Sequence, residues 1–167
     1  AALEQLVRAC DESKIRFVYA LSPGLDLRYG DAGDVETIRR RLAQMQTLGC
    51  RNLALLFDDL PEGVAAPAAA QAAIANTIFH GLRERTPDAQ LWFCPTPYCG
   101  RMAASGVGGA DYLATLGREL ALEIDVFWTG PEIVSREITV AHVREIAALL
   151  RRPPLIWDNL FANDYDG

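Results

Sequence analysis

The sequence predicts a parallel α/β fold, and two observations carry that prediction. Short apolar runs alternate with helix-like segments at roughly 30-residue spacing, the rhythm of repeated strand–helix units. The runs are also continuous rather than alternating, which suits parallel strands covered on both faces. A chain of 167 residues is one domain by length and can bury a substantial core.

Each element has its own local signal. Residues Ala1 to Asp11 read as the end of an amphipathic helix, and Ile15 to Leu21 as the first strand. Asp34 is placed as the N-cap of a helix running through Leu48, with Gly49 as its stop. Leu53 to Phe57 form the second strand, followed by an Ala-rich helix from Ala68 to Arg85. Leu91 to Cys94 make the third strand and Asp111 to Leu122 a helix. Ile124 to Trp128 make the fourth strand, Thr139 to Leu150 a helix, and Leu155 to Trp157 the fifth strand. Five such strands fit either a doubly wound sheet or an arc of a (β/α)8 barrel.

Composition removes several functions. The formal charge is −6, so a nucleic-acid backbone is not an expected partner. No apolar run approaches the eighteen or so residues of a membrane span, so none is expected here. No strand is followed by G-x-G-x-x-G, and no Lys-Ser/Thr follows the Gly-rich Ser105–Gly109, which reads as a plain loop. Cys10, Cys50, Cys94 and Cys99 lack metal-ligand spacing and are expected as reduced thiols. His80 and His142 fall within helical patterns and read as surface or packing residues; no G-x-S-x-G is present to start a triad. Asn163 to Gly167 resemble a calcium loop only faintly, with incomplete ligand spacing.

Chemistry gathers where the strands end. In a parallel α/β fold the carboxyl ends of all strands lie on one face, where ligands bind. Here those ends carry Ser22 to Asp26, Asp58-Asp59, the segment Cys94 to Gly100, Trp128 to Pro131, and Trp157-Asp158-Asn159. Carboxylates beside two Trp, a Tyr and an Asn suit a sugar, with its apolar C–H faces and rim of hydroxyls. Asp58-Asp59 is the sharpest feature. The following helix begins only past Pro61 and Gly63, so helix capping explains the pair poorly. Adjacent carboxylates repel, so one tends to keep its proton while the other ionises. Successive strand residues point to opposite faces, so the strand must end or bulge at Phe57 for both to reach one ligand.

Five segments, "FVYALSPGLDL", "GCRNLALLFDDL", "FCPTPYCG", "FWTGPEIVSREIT" and "PLIWDNLFANDYDG", together resemble glycoside hydrolase family 84, and within it the O-GlcNAcases. The likeness runs in order through essentially the whole chain. It implies a (β/α)8 barrel of which this chain covers about strands three to seven, as an excerpt of a longer protein. It also implies a retaining β-N-acetylglucosaminidase that needs no metal or cofactor. Its substrates would be O-GlcNAc-modified proteins, with free GlcNAc-containing glycans, hyaluronidase-like action or a silent sugar-binding barrel as alternatives.

The resemblance assigns roles as well. Asp58 would orient the substrate's 2-acetamido group and steady the oxazoline, and Asp59 would be the general acid and then base. Such substrate-assisted families depart from the usual two-carboxylate scheme. Tyr98 would contact the acetamido region. Trp157 and Asn159 would line the acetamido pocket, with Asn159 hydrogen-bonding; Asp158 would be a further substrate-binding residue, and Asp164 would hold sugar hydroxyls. Ile133 stands where the family has Val, and Pro97 where relatives carry an acidic residue. The family's Gly and Lys ligands on the first two strands, and an Asn near the eighth, have no counterpart within this stretch.

Overall fold

The computed structural model describes residues 2–23, 26–60 and 67–159. The elements in chain order are α1 (Ala2–Glu12), β1 (Val18–Leu21), α2 (Ala32–Thr47), β2 (Asn52–Leu56), α3 (Ala68–Arg85), β3 (Gln90–Cys94), α4 (Gly100–Ala104), α5 (Tyr112–Glu119), β4 (Asp125–Trp128), α6 (Val140–Leu150) and β5 (Leu155–Ile156). The five strands form one parallel sheet in the order β1-β2-β3-β4-β5. Each strand therefore pairs with the next in sequence. Right-handed crossovers between consecutive neighbours put the crossover helices α2, α3, α5 and α6 on one face. A doubly wound sheet instead reverses its order at a switch point. Consistent with one face, α2 packs on α3, α3 on α5, and α5 on α6.

The period of two along each strand sorts residues between the faces. Leu53, Leu55 and Phe57 join Leu91, Phe93, Val126 and Trp128 in the main core with the helices. Phe57 and Phe93 sit at the centre, 5.5 Å apart, each essentially inaccessible. Burying a ring of that size is worth roughly 1.5–3 kcal/mol. Residues of opposite parity, Leu56, Cys94 and Phe127, make a second cluster with Tyr98, Cys99, Ile133 and Trp157. Along that face Trp92 meets Phe127 edge to face at 5.7 Å, and Phe127 meets Trp157 at 4.9 Å with the rings tilted by 57°. Trp128 thus belongs to the helix-side core, and not to the ligand face where the strand-end reading put it. A single step along a strand is enough to change the face.

Three local details differ from the sequence reading. Asp31, not Asp34, caps α2, its carboxylate accepting from the amides of Gly33 and Asp34. Asp34 is engaged by Arg28, at 3.1 Å, which lowers its pKa. The helix α4 was not expected; it is nucleated from outside, with Gly100 and Arg101 amides donating to the carbonyls of Gly130 and Pro131. His142 is a cap: its Nδ1 accepts from the Thr139 amide while the Thr139 hydroxyl accepts from the His142 amide, each at 3.2 Å.

Other expectations hold. The Ala-rich helix spans Ala68–Arg85 as read. The four cysteines are free thiols. Ser105–Gly109 is a loop of turns with left-handed Gly106, Gly108 and Gly109. The α5–β4 turn is closed by Arg152, whose buried guanidinium donates to the carbonyls of Leu120, Ala121 and Ile124. No described helix is long and apolar enough to cross a membrane.

Candidate active site

Strand β2 ends at Leu56, two residues before the carboxylate pair. Phe57 keeps a last ladder bond, its amide donating to the Cys94 carbonyl at 2.9 Å, and points into the helix-side core. Asp58 then shares the parity of Ala54 and Leu56 and is half-buried. Continued alternation would send Asp59 to the helix side. Its φ of +50° prevents that. The left-handed turn brings the Asp59 carboxylate to the Tyr98 hydroxyl, which donates to Oδ1 at 3.0 Å. A non-glycine residue in that region costs on the order of 1–2 kcal/mol, with Asp among the residues that tolerate it best.

Tyr98 is itself firmly seated. Its ring is buried, and its carbonyl accepts from the Thr129 amide at 3.0 Å, tying the loop after β3 to the end of β4. Burial, then the Asp59 carboxylate, raises the Tyr98 pKa, so the phenol stays a donor. Trp157 follows β5, its amide donating to the Trp128 carbonyl and its ring against Phe127. Asn159 Nδ2 donates to the Ile133 carbonyl at 3.1 Å, joining the last two strand-end loops. Asp158, between them, is exposed.

Electrostatics distinguishes the two aspartates. Burial raises the Asp58 pKa and the Asp59 charge adds to it, against an opposing hydrogen bond from its own backbone. Cys94 lies underneath: burial and then the charges of Asp58 and Asp59 push its pKa up. The shift at Asp58 falls on the aspartate that the resemblance makes the anion, a point with mechanistic weight below.

The structure thus brings together Asp59 and Tyr98 by a hydrogen bond, with Asp58 within electrostatic reach of both. Tyr98, Ile133 and Trp157 share one apolar cluster, and Asn159 is bonded to Ile133. Asp164, and the calcium-like Asn163–Gly167, lie outside the described residues. Two clefts lie elsewhere: one of about 610 Å³ behind α4, α5 and α6, and one of about 670 Å³ at the amino ends of the strands. Neither is lined by Asp58, Asp59 or Tyr98. Sequence reasoning missed Gln71, which is wholly buried beneath these loops. The one polar residue in the Ala-rich first two turns of α3 was the only available signal.

Fold and constellation together define an α/β protein whose polar chemistry is gathered at the carboxyl ends of a parallel sheet. The family model described as beta-N-acetylglucosaminidase matches residues 1–167, and the chain belongs to that family. It is 43% identical over 172 residues to the protein O-GlcNAcases of Rattus norvegicus and Mus musculus, covering 98% of this chain and 18% of theirs. The chain therefore spans under a fifth of the length of these curated relatives. A solved mutant of the Thermobaculum terrenum O-GlcNAc hydrolase superposes with a TM-score of 0.85 at 32% identity. That match covers 97% of this chain and 36% of the other.

Proposed function

We propose that the protein is a retaining β-N-acetylglucosaminidase of O-GlcNAcase type, acting on O-GlcNAc-modified proteins, with this chain as about strands three to seven of a (β/α)8 barrel. The sequential strand order and the helices gathered on one face support the barrel. One observation carries the chemistry: left-handed Asp59 turns out of strand alternation to meet Tyr98 beside half-buried Asp58.

In this reading Asp58 accepts the N–H of the substrate's 2-acetamido group and swings its carbonyl oxygen beneath the anomeric carbon. That oxygen forms the new bond as the glycosidic bond breaks. Asp59 delivers its proton to the departing serine or threonine oxygen. Tyr98 occupies only Oδ1 of Asp59, leaving Oδ2 to carry that proton. The oxazoline is then opened by water, whose proton returns to Asp59, and configuration is retained. Burial makes an anionic Asp58 costly until something brings it positive character. The amide N–H and then the oxazolinium charge supply it, so Asp58 stabilises the transition state more than the ground state. Trp157 and Asn159, with Asp158 and Ile133, flank the acetamido group, and Asp164 binds sugar hydroxyls.

The test uses the full-length protein and aryl β-N-acetylglucosaminides with increasingly fluorinated N-acyl groups. Hydrolysis should slow steeply as the acyl oxygen loses electron density. Rates indifferent to that change, or a trapped glycosyl-aspartate, would eliminate the substrate-assisted mechanism.

A further inference from the structure

One buried side chain reaches beneath both loops of the site. Gln71, on α3, has no exposed surface. Its Nε2 donates to the Thr96 hydroxyl at 2.9 Å and to the Tyr29 hydroxyl at 3.3 Å. Its Oε1 accepts from the Tyr112 hydroxyl, which itself accepts from the Thr96 amide at 3.4 Å. Both amide protons and the carbonyl are therefore engaged, and Thr96 is held by backbone and side chain together.

From this point the contacts run to the two halves of the site. Thr96 lies two residues before Tyr98, the donor to Asp59. The Tyr29 ring packs at 6.3 Å against Phe57, the residue before Asp58. Gly108 makes room for the arrangement: a Cβ there would come within 2.5 Å of the Tyr112 ring. Burial raises the pKa of both Tyr29 and Tyr112, so the phenols keep their protons. A buried polar group left unpaired costs about 1–3 kcal/mol, so a closed network of this kind holds one geometry and penalises others.

We propose that Gln71 is a positioning residue, setting the Tyr98 loop against the Asp58–Asp59 pair through Thr96 on one side and Tyr29–Phe57 on the other. The inference rests on the glycosidase reading above. Gln71 touches no substrate; it fixes the distance between the phenol and the carboxylate that works as acid and base.

In the full-length protein, Gln71→Leu should lower kcat on an aryl β-N-acetylglucosaminide about 10-fold or more while KM moves less than about twofold. In a Tyr98→Phe background the same change should have little further effect on kcat, because the contact it sets is gone. Asn76→Ala is the control. Asn76 sits on the same helix but bridges to Glu119 and Ala121, and its loss should lower Tm with kcat unchanged. Gln71→Glu keeps an acceptor and regains one donor when protonated, so its kcat relative to wild type should rise as pH falls; it also serves if Gln71→Leu does not fold. A kcat loss that merely follows Tm, as at Asn76, or full additivity with Tyr98→Phe, would overturn the proposal. If wild-type protein turns over no β-N-acetylglucosaminide, the glycosidase reading fails by itself. The positioning claim is then judged by NMR of ¹³C-labelled tyrosine: the Tyr98 signal should shift in both Gln71 variants and stay put in Asn76→Ala, and an unmoved signal refutes it.

Discussion

Residues 57–60, the described start of the connection after β2, are partly exposed and bent by a left-handed aspartate, whereas the loop after β3 is buried and strapped to its neighbours. Tyr98 is fixed by Thr129 at its carbonyl and, through Thr96, by Gln71 and Tyr112. Asp59 has one side-chain partner among the hydrogen bonds described, and that partner is Tyr98. One loop is thus a reference surface and the other a pair of reactive groups leaning on it. The contrast suits an acid–base pair that must exchange protons with ligands while a neighbouring phenol stays in place.

The largest effects should come from breaking the more exposed side of that contrast. A general acid contributes commonly ~10²–10⁴-fold, and most when the leaving group is poor. Asp59→Asn should abolish turnover of Ser/Thr-linked sugar yet spare the first step for a good phenolate. Asp58→Asn should depress activated and unactivated substrates alike. Leaving-group series on both variants check this; a reversed pattern exchanges the roles, which the raised Asp58 pKa makes a pointed question.

Next comes the contact between the loops. A hydrogen bond to a charged group is worth roughly 1.5–3 kcal/mol, so Tyr98→Phe should cost about 10- to 100-fold in kcat. Steady-state kinetics would reveal an unchanged kcat if the phenol only fills space.

A smaller effect concerns pH. In the proposed mechanism Asp58 is ionised when it receives the acetamide, and its raised pKa keeps it protonated over a wider acid range. The acid limb of kcat/KM should therefore begin above the pH expected for an ordinary aspartate, activity falling as pH drops through it. A limb at or below the ordinary value would show that burial does not govern Asp58.

The smallest effect isolates the strain in the β2 turn. At φ +50° glycine is tolerated better than alanine, so Asp59→Gly should be more stable than Asp59→Ala by about 1 kcal/mol. Denaturant melts of the two variants give the difference directly.

Much of this was legible in the sequence because the signals were local. Continuous apolar strands, the span of α3 and the Thr139 start of α6 each follow from a few adjacent residues. That Asp58, Asp59, Tyr98, Trp157 and Asn159 stand just past strand ends was legible from the alternation of elements, whereas Ile133 was singled out by the resemblance alone. What escaped depends on contacts distant in sequence. Two aspartates stand at the start of α2, and Arg28 pairs with both at 3.1 Å, but it is Asp31 that takes the Gly33 and Asp34 amides. The five residues of α4 are helical because the loop after β4 accepts their amides. Gln71 is meaningful only through Thr96 and Tyr112, 25 and 41 residues away. The need for a break at Phe57 could be stated from strand geometry alone, but not that a left-handed Asp59 would supply it.

The thiol beneath the carboxylate pair has a consequence for chemical resilience. Alkylating agents and peroxides attack thiolates, not thiols. Cys94 is enclosed beneath the two aspartates, and burial together with negative charge on either of them opposes its ionisation. Cys50 and Cys99 are likewise pushed up by burial. Oxidants reaching the protein should therefore react first at the more accessible Cys10, leaving the thiol beneath the aspartate pair in its reduced form.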